Sequence, residues 1–119
     1  MSFTDYGYDL VRGYLVTKIT HVAIISDTGT EICRIPVDGA KVTVSDDAVQ
    51  NKITVTVVLK GDGSTHSNIK VGTTVKGMKL YDVATDGTPI DDETYASAFT
   101  FNNPEDQLTL KIVINSPAA

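Results

Sequence analysis

Tryptophan is absent from this chain of 119 residues, and cysteine occurs once, at Cys33. A single cysteine excludes an intrachain disulfide and a cysteine cage for zinc. Aromatic residues make up only 7%, too few for the ring platforms that sugar-binding sites commonly use. The two histidines, His21 and His66, stand far apart and in no metal spacing such as His-Glu-x-x-His. Cations are also scarce: 10 Lys and Arg face 15 Asp and Glu, for a net charge of −5. Phosphate contacts need clustered Lys and Arg, so no nucleic-acid partner is expected. No apolar run approaches the ~18 residues of a membrane span, and no charged-then-apolar signal opens the chain. Neither a membrane partner nor a secreted product is expected. Phosphate-loop and nucleophile-elbow motifs are missing, so the expectation is a protein without enzymatic activity, cofactor or bound metal.

Val, Ile and Thr are abundant instead, together about a third of the chain against six Leu. β-Branched side chains are stiff at their first torsion and pack well on pleated surfaces, which favours an all-β fold. The length suits one domain, which in this size range buries about two-thirds of its unfolded surface. Residues 1–17 form the exception, an N-terminal helix or arm ahead of a β-sandwich over 18–119. Thr4 can cap a helix over 4–16, with Asp5 in its first turn. Leu10, Val11, Tyr14 and Leu15 recur at helical spacing and are expected to pack against the sandwich or a neighbouring subunit. Gly7 and Gly13 weaken that helix, and an extended arm is the competing conformation.

Beyond it, short apolar runs alternate with Gly, Asp and Asn punctuation, as in sandwiches and barrels. Strands are predicted over 19–25, 31–37 and 41–44, with turns at Ser26–Gly29, at Asp38-Gly39 and opening at Asp46-Asp47. Ile53, Val55, Val57 and Leu59 alternate with Lys52, Thr54, Thr56, Val58 and Lys60, and Leu108, Leu110, Ile112 and Ile114 with Gln107, Thr109, Lys111, Val113 and Asn115. A period of two puts each set on one face, with Thr and Lys on the other, which favours antiparallel sheets wet on one side. In the strand over 73–83 the apolar parity slips near Gly77, which indicates a β-bulge. A further strand runs over 95–101, and Asn102-Asn103-Pro104 turns the chain into the last one. Cys33 and His21 read as strand residues, Cys33 as a buried inert thiol, and His66 reads as a loop residue.

Asp82 to Asp106 holds seven acids and no Lys or Arg. The spacing does not match a calcium loop. Solvated charge that guards a sheet edge is the plain reading of these acids, ahead of a metal site. The third reading is a docking patch, centred on Asp91, Asp92 and Glu93, for cations such as Lys70, Lys76, Lys79 or Lys111 of an adjacent copy.

Several of these segments also carry a resemblance. The helix around Tyr6 to Leu15 leads into Thr20-His-Val-Ala-Ile24, then Glu31-Ile-Cys-Arg34, and later Leu80-Tyr-Asp82. This order, over about two-thirds of the chain, resembles small tail-associated and head-associated structural proteins of tailed bacteriophages. The resemblance implies a β-sandwich subunit of a virion, assembled in the host bacterial cytoplasm as a tail, neck or capsid-decoration component. Its partners would be copies of itself and other virion proteins, and no catalytic residues are implied. A module binding a host surface receptor or glycan is the alternative.

Overall fold

A computed structural model describes residues 4–115. The chain is all-β apart from one helix, α1 (Asp5–Lys18), followed by β1 (His21–Ile25), β2 (Glu31–Pro36), β3 (Val42–Asp47), β4 (Lys52–Lys60), β5 (Thr74–Tyr81), β6 (Asp91–Thr100) and β7 (Gln107–Asn115). The strands form two antiparallel sheets, β2-β1-β5-β6 and β3-β4-β7. Each hairpin stays within one sheet, while the β2–β3, β4–β5 and β6–β7 connections cross between them.

The alternating strands behave as their pattern requires. Ile53, Val55, Val57 and Leu59 of β4 are fully buried, and β7 answers with buried Leu110 and Ile112 and half-buried Leu108 and Ile114. The two strands pair over nine residues, from Lys52↔Asn115 to Lys60↔Gln107. The other sheet contributes Val22, Ile24, Ile35, Met78 and Leu80 to the same core, and Phe101 closes it. The parity slip at Gly77 corresponds to an irregularity in the ladder. Register shifts between Val75 and Gly77, which pair with Phe99 and Thr94, so two steps along β5 meet five along β6. A Cβ on Gly77 would lie 2.8 Å from the Glu93 carbonyl oxygen, so only glycine fits. The bow in β6 sends the Tyr95 hydroxyl across to the other sheet, where it donates to the Lys111 carbonyl at 3.0 Å.

Three local expectations are corrected. The turn expected to open at Asp46-Asp47 lies instead at 48–51, because both acids continue the ladder opposite Ile53 and Lys52. Strand β6 begins at Asp91 rather than Tyr95, since its acidic start pairs with Leu80, Lys79 and Met78. The helix forms, with the Thr4 Oγ1 accepting from the Gly7 amide at 3.2 Å, and it extends to Lys18. Its buried face, however, is centred on Tyr8 and Arg12. Val11 and Leu15 are half-buried, whereas Leu10 and Tyr14 point outward, 57% and 64% exposed.

The core register makes a direct prediction. Val57→Asp or Leu110→Asp would bury a charge without a partner, at a cost of several kcal/mol. Either variant should lose most of its cooperative thermal transition, and wild-type melting would place these strands in the wrong register.

Candidate functional site

The chain has two arginines, Arg12 and Arg34, and the fold uses both in the same way. Each side chain is almost wholly buried, at 3% and 6% exposure, and each ties a segment outside the ladders to the sandwich. Arginine suits this task because its planar fork carries five donors and stays charged.

Arg12 sits on the inward face of α1. Its Nε donates to the Asp46 carboxylate at 2.7 Å. The two terminal nitrogens donate to the Asn51 side-chain oxygen and to Asp9. Asp46 lies next to the end of β3 and Asn51 in the turn before β4, so one side chain joins the helix to the β3–β4 hairpin. Asp46 above all, and Asp9 beside it, favour the charged guanidinium and hold its pKa above the ordinary value. A shallow cleft of about 160 Å³ opens beside this clasp, lined by Asp5, Tyr8, Asp9, Arg12, Ala48, Val49 and Asn51. Its arginine is engaged with three partners of its own chain, so the cleft holds no preformed anion receptor.

Arg34 sits on the outer face of the first sheet, next to Ala23 in the ladder. Its guanidinium stacks on Tyr81, 3.6 Å from the ring centroid. One terminal nitrogen donates to the backbone carbonyls of Val83 and Asp86, at 3.1 and 2.8 Å. The other pairs with Glu31 at 2.7 Å. Ala23, Ile25 and Tyr81 form a second, small buried cluster on this face. Desolvation and stacking strengthen a cation on a ring, and the two carbonyls fix the course of the chain after β5. Among the described residues, Arg34 Nε is the one buried side-chain polar atom without a hydrogen-bond partner.

The acidic segment is less isolated than its sequence suggests. Lys79 faces Asp92 across the β5–β6 ladder of its own chain, with 3.8 Å between charged atoms. Asp106 accepts from the amides of Asn102 and Asn103, which lowers its pKa, and so acts as a turn anchor. Asp91 and Asp92 start the edge strand β6, and Glu93 follows, exposed. Among the described residues, no group of three or more His, Cys, Asp or Glu gathers as a metal ion would require. Nor is any helix there long and apolar enough to cross a membrane.

Neither histidine nor the thiol forms a reactive set. His21 Nδ1 lies 2.9 Å from the Thr20 hydroxyl, and His66 Nδ1 accepts from the Asn68 amide. Cys33 is buried, and desolvation first, then Glu31, pushes its pKa up to about 12. A thiol held neutral in this way is a poor nucleophile. Compared with known proteins, the chain matches no protein-family model, no curated protein and no solved structure.

Sequence reasoning placed the helix residues and the acids but missed both arginine clasps. The Arg12 partners Asp46 and Asn51 lie 34 and 39 positions away, and nothing local marks them. Glu31 and Arg34 carried a signal, because their spacing and Leu80-Tyr-Asp82 belong to the segments that carry the phage resemblance. The fold puts Glu31 and Arg34 on β2 and Tyr81 on β5, with β1 between the two strands.

Two outcomes follow from these contacts. Arg34→Met removes the ties to Val83 and Asp86, so an aspartate-directed protease should cut at Asp82 or Asp86 many times faster while the melting transition stays cooperative. Unchanged cleavage would mean that the loop is held otherwise. The second concerns alkaline pH. The folded pKa of Cys33, at about 12, lies above the unfolded thiol value, so folding stabilisation is whole below about pH 8.5 and declines as pH rises toward 12. Tyr95, pushed up to about 12 chiefly by burial, adds a decline that begins near pH 10. Cys33→Val should flatten the earlier part of an alkaline denaturation profile, and an identical profile would contradict it.

Proposed function

We propose that this protein is a structural subunit of a tailed-bacteriophage virion, acting through contacts with copies of itself and with other virion proteins. One observation supports this reading above the others. The three short segments that resemble virion proteins, Thr20–Ile24, Glu31–Arg34 and Leu80–Asp82, lie on or beside the adjacent strands β1, β2 and β5. Members of the second and third segments meet, with Glu31 paired to Arg34 and Arg34 stacked on Tyr81. The outer surface fits a role in contacts: an acidic edge strand on one side and an exposed helix face on the other. The alternative, a glycan module, has less to rest on, because exposed Tyr6 and Tyr14 project from a helix rather than line a groove.

Copurification tests the proposal. The chain should appear at a fixed, symmetric copy number in purified particles and in a particle map, and its absence from particles would overturn the reading. The acidic edge gives a finer test. Replacing Asp91 and Asp92 with Asn and Glu93 with Gln should leave melting near wild type, since exposed pairs contribute only ~0–1 kcal/mol each. It should weaken or misdirect assembly most visibly at low salt, where screening is least. Assembly that is identical at low and high salt would return these acids to a solubility role.

A further inference from the structure

We infer that Asp86-Gly87, in the segment between β5 and β6, is a site of spontaneous isoaspartate formation, and that Arg34 gates it. An aspartate followed by glycine is prone to this change because glycine has no side chain to shield its own nitrogen. That nitrogen bonds to the aspartate Cγ and gives up its proton, which departs with the carboxyl hydroxyl as water. Water then opens the five-membered imide at either carbonyl. Opening at the former backbone carbonyl routes the chain through Cβ, one atom longer, and leaves a carboxylate on Cα. The net change is an isomerisation that needs no oxidant and no co-reactant.

The sequence holds three such pairs, Asp38-Gly39, Asp62-Gly63 and Asp86-Gly87, and the fold treats them differently. Asp38 Oδ1 accepts from the amides of Ala40, Lys41 and Val42, and the Gly39 amide donates to the Val42 carbonyl at 2.9 Å. Asp62 Oδ1 accepts from the Ser64 amide at 2.9 Å. The Ala40 amide above all at Asp38, and the Ser64 hydroxyl and amide at Asp62, hold these carboxyls below their ordinary pKa. That keeps them ionised, whereas the neutral carboxyl is the form that releases water. Asp86 and Gly87 are both exposed. Among the described residues, no donor holds the Asp86 carboxylate and no backbone acceptor takes the Gly87 amide. The glycine is also fixed by the fold, since its φ is +85° and a Cβ there would fall 2.5 Å from Val83 Cγ2.

What restrains this pair is the arginine clasp. Asp86 has φ 55°, in the left-handed region, where ψ is about +47°. That conformation points the Gly87 nitrogen away from the Asp86 Cβ. Ring closure needs the nitrogen on the Cβ side, roughly half a turn about the Cα–C bond. The peptide is planar, so the same rotation swings the Asp86 carbonyl oxygen away from its present direction. Arg34 donates to that oxygen at 2.8 Å, and to the Val83 carbonyl at 3.1 Å, while its guanidinium rests on Tyr81. Isomerisation therefore proceeds from a locally opened segment, and its rate is the rate of the free sequence scaled by the open population.

Ageing the purified full-length chain for several weeks at neutral pH and body temperature tests this. Trypsin places the three Asp-Gly pairs in separate peptides, 35–41, 61–70 and 80–111. Isoaspartate in each is read with a methyltransferase specific for that residue and by mass spectrometry. In wild type it should gather fastest in 80–111, yet about tenfold or more slowly than in a synthetic peptide of residues 83–90. Arg34→Met should bring the Asp86 rate close to that of the peptide and leave Asp38 and Asp62 unchanged, which separates local opening from general unfolding. Faster modification at Asp38 or Asp62 in wild type would overturn the assignment of the site. A wild-type Asp86 rate equal to that of the peptide, an Arg34→Met rate equal to wild type, or acceleration at all three pairs alike would overturn the gate. The inference stands apart from the virion reading, and its failure leaves that reading untouched.

Discussion

The structure depends on the buried row of β4. Ile53, Val55, Val57 and Leu59 are all fully buried, and β4 is the central strand of its sheet, flanked by β3 and β7. Burying each such side chain is worth roughly 1.5–3 kcal/mol. A slip of one residue would turn the whole row to solvent and bring Thr54, Thr56 and Val58 inward. That penalty fixes the register of β4 against both neighbours, and through the shared core it fixes which faces of β1 and β5 point inward. The Thr and Lys of the outer faces then follow as a consequence of the inner ones.

Around this core the two segments that cannot join a ladder are tied down by buried cations. Helix α1 is too short to be stable alone in water and takes its order from tertiary contacts. Leu15, Val16 and Ile19 give it an apolar footing, and Arg12 gives it a polar one. The chain after β5 has little apolar surface of its own, and Arg34 holds it by two carbonyls while resting on Tyr81. Both clasps fix the inward side of a segment and leave its outward side available.

How much of this was legible in the sequence depends on the distance over which each feature is decided. The rows of β4 and β7 were legible because period-two alternation is local. The irregularity at Gly77 was too, since a bulge moves the apolar residues from one parity to the other within a few positions. The starts of β6 at Asp91 and the end of β3 at Asp47 were not, because Asp reads as turn while cross-strand partners decide whether it pairs. Which part of the helix stripe turns inward was not legible for the same reason. The pattern Leu10, Val11, Tyr14, Leu15 pointed to a stripe, but the inward direction is centred on Arg12, whose partners arrive from β3 and the following turn. The acids of the 82–106 segment looked uncompensated because Lys79 precedes them, and only the β5–β6 ladder shows that it faces Asp92.

Native-state hydrogen exchange on the purified chain tests most directly whether a rigid sandwich carries two pinned segments. The amides of β4 and β1, each between two partner strands, should exchange only through global unfolding. Those of α1 beyond its first turn, and the Ile90 amide that donates to the Leu80 carbonyl, should be protected in the isolated chain but open at lower free energy. Exchange of α1 at unprotected rates in the monomer, or of β4 as fast as α1, would contradict this picture.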